Sequence, residues 1–221
     1  MRTFVSILAL AATMGMAAPA HAWDAGDWLV RFGASNVDPK SDNGSLNLSV
    51  VDPALSPSAE INVEDAWSAT FNFTYMYSPN LGIELLAAWP FQHDIKVESL
   101  GKVAEVTHLP PTLSLQYHFL PDSAFQPYLG AGANLTYFYD EEAKGTLKDL
   151  GGSISIDSTS FGLAVQAGFD YLIGEQWFVN VDVRWIDINV DADVTVPGVG
   201  TLTTEVEIDP IVYGLHVGYR F

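Results

Sequence analysis

Two histidines, His93 and His108, stand on either side of a polar segment and could approach one another across it. A hydrolase would need a nucleophile, a base and a group that orients the base. A zinc-type centre would need at least a third protein ligand. Neither constellation accompanies these two residues, so no catalytic residue, metal ligand or cofactor is assigned, and the reading is a pair of hydrogen-bonded histidines at the base of a loop. Gly130-x-Gly132 is not a phosphate cradle, because no helix follows it.

A second set carries charge inside otherwise apolar segments: Arg31, Glu84, Asp170, Asp182, Arg184 and Arg220, joined by His118 and His216. Ions removed from water cost several kcal/mol each unless paired, so these residues predict a mutually neutralising cluster. The remaining acids crowd between apolar segments, at Asp38, Asp42 and Asp52, at Asp140 to Glu142, and at Asp191, Asp193, Glu205 and Glu207. They read as solvated loops. A sharper reading has divalent cations bridging them to an anionic lipopolysaccharide layer, since such ions prefer carboxylate oxygen, although no spacing matches a dedicated calcium loop. The net charge of -18 with nine Lys and Arg argues against nucleic acid as a partner. There is no cysteine, which removes disulfide and thiolate chemistry.

The elements that must hold these residues alternate with a period of two. In Ile208 to Phe221, the residues Ile211, Tyr213, Leu215, Val217, Tyr219 and Phe221 share one face, and Val212, Gly214, His216, Gly218 and Arg220 share the other. A greasy face backed by small or polar residues is the unit of a transmembrane β-barrel, whose bulky side meets lipid. The same pattern recurs near 27–37, 67–77, 82–89, 106–119, 128–139, 160–172 and 177–188. Short turns follow the second, fourth and sixth segments, and long loops follow the first, third, fifth and seventh. The prediction is an all-β, eight-stranded antiparallel barrel with short periplasmic turns and long extracellular loops. Residues 1–22 read as an export signal with an A-x-A cleavage site at Ala20 to Ala22, leaving 23–221 as one barrel domain. Aromatic belts are expected at Trp28, Tyr75, Tyr117, Trp177 and Tyr219 on the periplasmic side and at Trp89, Tyr137 and Trp185 on the other.

Arg or Lys facing lipid at the midplane costs about 2 to 4 kcal/mol, so Arg31 and Arg184 belong inside, as the alternation also says. An eight-stranded barrel encloses room only for side chains or one small ligand, so Arg31, Glu84, Asp170, Asp182, Arg184 and Arg220 predict a lumen plug rather than an open aqueous pore. Above it the inner parity is less charged. Leu86, Ala88, Pro110, Pro111 and Val212 are the candidate substrate path. Proline donates no ladder hydrogen bond, so Pro90, Pro110 and Pro111 either open the wall locally or simply end their strands.

The motifs A-G-D-W-L-V-R-F-G (25–33), N-L-G-I-E-L-L-A-A-W-P-F-Q-H (80–93), T-H-L-P-P-T-L-S-L-Q-Y (107–117), P-Y-L-G-A-G-A-N (127–134), G-F-D-Y-L (168–172) and G-Y-R-F (218–221) resemble the outer-membrane protein W (OmpW) family, which includes the alkane-uptake protein AlkL. The resemblance implies a bacterial outer-membrane channel for passive uptake of small hydrophobic molecules, open outside, blocked toward the periplasm and leaving laterally into the membrane. Expected partners are outer-membrane lipid and lipopolysaccharide, small hydrophobic solutes, and the barrel-assembly machinery through the C-terminal Phe221. Three rivals stay open. One is a surface-interaction barrel contacting lipopolysaccharide, phage or host without transport, another is a lipid-modifying enzyme using His93 and His108, and the third is a weak ion conductor.

Overall fold

The computed structural model describes residues 23–40 and 43–221. The proposed export signal lies outside the described residues, as does Asp42. The chain runs through β1 (Trp28–Asp38), short β2 (Ser45–Leu46) and β3 (Ala59–Val63), and long β4 (Ala66–Ser78). It continues as β5 (Leu81–Ala88), β6 (Phe91–Val97), β7 (Gly101–Leu109) and β8 (Thr112–His118). Next come β9 (Phe125–Ala143), the short helix α1 (Gly145–Asp149), β10 (Ser153–Ile156) and β11 (Thr159–Leu172). The last are β12 (Trp177–Ile186), β13 (Asn189–Val196), β14 (Gly200–Glu207) and β15 (Ile211–Arg220).

Eight of these close the wall in the order β1, β4, β5, β8, β9, β11, β12, β15, and β15 pairs back onto β1, every pair antiparallel. Closure leaves no free edge, which is the condition for strands in hydrocarbon. The expected eight-stranded barrel is therefore what forms. Among the described residues no helix is long and apolar enough to cross a membrane.

The wall is inside out relative to a soluble domain. Phe161 is 74% exposed and Leu215 64%, while Arg31, Glu84 and Asp170 are fully buried. So large a girdle of exposed apolar side chains suits lipid and not water. Ring pairs mark its lower margin: Trp28 with Tyr75 at 5.2 Å and Trp177 with Tyr219 at 4.9 Å.

The long loops are not loose. Strands β6 and β7 form a hairpin, β3 joins β6, and β7 continues along the upper half of β9, so the barrel wall extends outward on one side. Strands β10, β13 and β14 form a facing three-stranded sheet. Between them lies an apolar core containing Leu46, Ile61, Val97, Val106, Leu147, Val190 and Val206. The sequence expectation of plain loops at 38–66, 91–105, 140–159 and 189–204 is corrected here. These segments alternate too, but their buried faces meet one another, a pairing that only chain closure brings about.

Small residues let the walls approach. A Cβ at Gly132 would lie 2.1 Å from the Leu113 carbonyl oxygen, backbone that cannot move aside. Gly132→Ala is expected to destabilise the barrel by about 1–3 kcal/mol through overpacking, read as a lowered urea midpoint of protein refolded into lipid vesicles.

Candidate functional site

The lumen is stratified from the periplasmic end upward. Its floor is apolar: Trp23 is fully buried beside Leu29, Met76, Leu172 and Phe178, with its ring 5.2 Å from Phe178. The chain reaches this position because Gly26 and Asp27 bond back to Met76, folding the N-terminal segment under the barrel. Nothing in the alternation of the strands reveals this stopper, since Trp23 precedes β1.

Above the floor lies a continuous ionic layer. Arg31 donates to Asp170 through Nε at 3.0 Å and Nη2 at 2.7 Å, and to Glu84 through Nη1 at 3.3 Å. Its guanidinium carbon also sits 5.5 Å from the Phe178 ring and 5.6 Å from that of Tyr128. Arg184 donates to Asp182 at 2.8 Å and to Glu84 at 2.8 Å. Glu84 is thus the bridge between two guanidinium groups, and it also accepts from Gln116 at 2.8 Å and Gln166 at 3.1 Å. These contacts pair ions that lie out of water, the condition under which buried charge is tolerated, while Arg184 Nη2 and Asp182 Oδ2 make no hydrogen bond.

A polar relay tops this layer. His216 Nδ1 donates to Asn180 Oδ1 at 3.0 Å, and its Nε2 lies 2.8 Å from Thr70 Oγ1, which meets Ser35 Oγ at 2.8 Å. Arg31, Glu84, Asp170, Asp182 and Arg184 therefore share one cluster across four strands. Arg220 differs from the expectation: it lies at the periplasmic rim, half-buried, with Asp27 at 3.8 Å. Its place at the last residue of β15 puts it below the ionic layer.

Above the relay the lumen turns apolar, and three cavities follow one another outward. The inner one, about 10 Å³, is lined by Val37, Leu86, Phe91, Pro110, Ile186 and Val212, with Thr70 as its polar base. The middle one, about 40 Å³, lies among Ile61, Val106, Phe138, Ile154, Val190 and Ile208. The outer one, about 70 Å³, reaches Leu55, Leu100, Leu147 and Leu202. His108 lines both the inner and the middle cavity. Leu46, Val97, Val103 and Val194 line both the middle and the outer. Neighbouring cavities thus share walls, and the series is a narrow apolar shaft standing on the ionic layer.

The wall beside the inner cavity is interrupted. Strands β5 and β8 pair up to Leu86 with Thr112, and β6 and β7 resume at Phe91 with His108. Between these pairs the backbones of 87–90 and 109–111 carry no ladder partner across the seam. Prolines 90, 110 and 111 lack the N–H groups that would close it. The β9 side stays tied, because Asn134 Nδ2 donates to the carbonyls of Pro110 at 3.2 Å and Pro111 at 3.3 Å. Of the candidate path residues, Leu86, Pro110 and Val212 line the inner cavity and Ala88 packs against the apolar core. Pro111 is corrected: it is exposed on the outer surface, because the parity that turns Pro110 inward turns its neighbour out.

His93 and His108 do meet. Their rings stack at 4.9 Å and 6°, flanked by Phe91 and Phe138, in the hairpin that rises beyond the Trp89 and Tyr137 girdle. His93 Nδ1 lies 2.6 Å from the Glu64 carbonyl, and a carbonyl only accepts, so this nitrogen carries the hydrogen. Burial holds the pKa of both rings below the usual imidazole value.

The OmpW family model matches residues 24–221. Outer membrane protein W of Vibrio cholerae is 37% identical over 210 residues, spanning 92% of this chain and 93% of that one. Outer membrane protein AlkL of Ectopseudomonas oleovorans is 31% identical over 204 residues, 90% of this chain and 84% of that one. The crystal structure of the outer membrane protein OprG from Pseudomonas aeruginosa superposes with a TM-score of 0.82 at 38% identity, covering 91% of this chain and 98% of that one.

Proposed function

The chain belongs to the OmpW family of outer-membrane barrels, and on that footing we propose that it conducts small hydrophobic molecules passively from the cell surface into the membrane. The carrying observation is the apolar shaft, which starts among the extracellular strands and ends on a sealed ionic layer beside an unpaired stretch of wall. A solute that enters this shaft meets buried ions and the Trp23 floor in the periplasmic direction. Its escape is sideways, past Leu86, Ala88 and Pro110, through the seam between β5 and β8. The cavities hold only a few atoms each, so a solute advances as the surrounding valine and isoleucine side chains turn aside. The acidic outer loops keep the mouth solvated within the lipopolysaccharide layer.

The test is uptake of an octane probe by cells with and without the protein, at matched surface expression. Pro110→Val with Pro111→Thr restores two backbone donors at the seam. Uptake several-fold faster with the protein, and lost in the double variant, is the expected result. Equal uptake with and without folded protein would overturn the conduit in favour of a surface-interaction barrel.

A further inference from the structure

The His93 and His108 pair has features that a purely structural role does not explain. Both rings are about 1–2% exposed, and three of their four nitrogens, His93 Nε2 and both nitrogens of His108, have no hydrogen-bond partner. A buried polar group left unpaired costs about 1–3 kcal/mol, and a phenylalanine at 108 would stack on Phe91 and Phe138 without that cost. The unpaired nitrogens belong to residues lining the middle cavity, whose other walls are almost wholly valine, isoleucine and phenylalanine. His108 also lines the inner cavity, so the pair stands where the shaft passes from one to the other.

A metal does not suit the arrangement. Rings stacked at 6° hold their in-plane lone pairs in parallel planes instead of converging on one ion, and no group of three ligating side chains occurs among the described residues. Hydrogen bonding does suit it. With its Nδ1 hydrogen committed to Glu64, a neutral His93 offers a bare acceptor at Nε2, while a neutral His108 offers one donor and one acceptor. The two lining residues therefore carry two unpaired acceptors and one unpaired donor beside an apolar cavity. The complementary group is one that both donates and accepts through oxygen, a hydroxyl or an undissociated carboxyl.

We propose that His93 and His108 form a head-group station for amphiphilic solutes, apolar molecules bearing one terminal hydroxyl or protonated carboxyl. This deepens the conduit reading and rests on it for access. Ethers and hydrocarbons of equal size find only part of the match or none, so the station sorts solutes by a single polar group midway along the shaft.

The experiment compares uptake of octane, octanol and methyl heptyl ether by cells carrying the native protein or His108→Phe. It is paired with solid-state NMR of the His93 and His108 ring nitrogens in the native protein in bilayers, titrated with the same three probes. Octanol is expected to enter about fivefold faster than the isomeric ether, the factor one net hydrogen bond supplies. His108→Phe should bring the ratio of octanol to ether uptake down to about one, and the ring shifts should respond to octanol and not to octane. Ring shifts indifferent to octanol, or a variant that keeps the fivefold preference for octanol over the ether, would overturn the station. Octanol-dependent shifts without uptake of any probe would sink the conduit and leave the station standing.

Discussion

Arg31→Met is expected to destabilise the folded barrel by about 3–5 kcal/mol, because removing one partner strands buried carboxylates. Asp170 loses a bidentate guanidinium at 2.7 and 3.0 Å, and Glu84 keeps only Arg184 as its cationic neighbour. Three carboxylates would then share one arginine in a layer closed off from water by the Trp23 floor. The loss is read from the urea midpoint of the protein in lipid vesicles. Adding Asp170→Leu should recover most of it, since an ion pair replaced on both sides by apolar groups is often close to neutral in stability. Failure of the second substitution to recover anything would mean that Arg31 acts chiefly through its contacts with Phe178 and Tyr128.

The other large effect concerns the extracellular sheets. Ile61 is 3% exposed in the core between the two outer layers and lines the middle cavity. Ile61→Asp places an unpaired carboxylate there, at a penalty of several kcal/mol. The outer strands lie beyond the closed eight-strand ladder, so they can open while the lipid-embedded ladder stays intact. Proteinase K added to intact cells is expected to trim the variant outside the membrane and to leave the native protein whole. Apolar uptake should fall with it, because the middle cavity loses its walls. Ile61→Val, which keeps the chemistry, should behave like the native chain.

The family resemblance and the fold were legible early for a simple reason. Each wall strand separates two unlike solvents, so Phe161, Leu163 and Val165 had to alternate with Gly162, Ala164 and Gln166 whatever the rest of the chain did. The same parity reads Arg31 and Arg184 as inward residues, but it carries no information on partners. Arg31 meets Asp170 across 139 residues, and that pairing depends on the register of several intervening strands.

By itself, then, the sequence determined the strand number, the rhythm of short and long connections and the inner and outer faces, all of which are local consequences of a period of two. Only the tertiary structure decided the rest. It brought the alternating outer segments together into a second core, folded Trp23 beneath Phe178, and stacked His93 on His108 with three of their four nitrogens unpaired. Each of these depends on contacts between residues far apart in the chain, which closure of the barrel creates and no local pattern encodes.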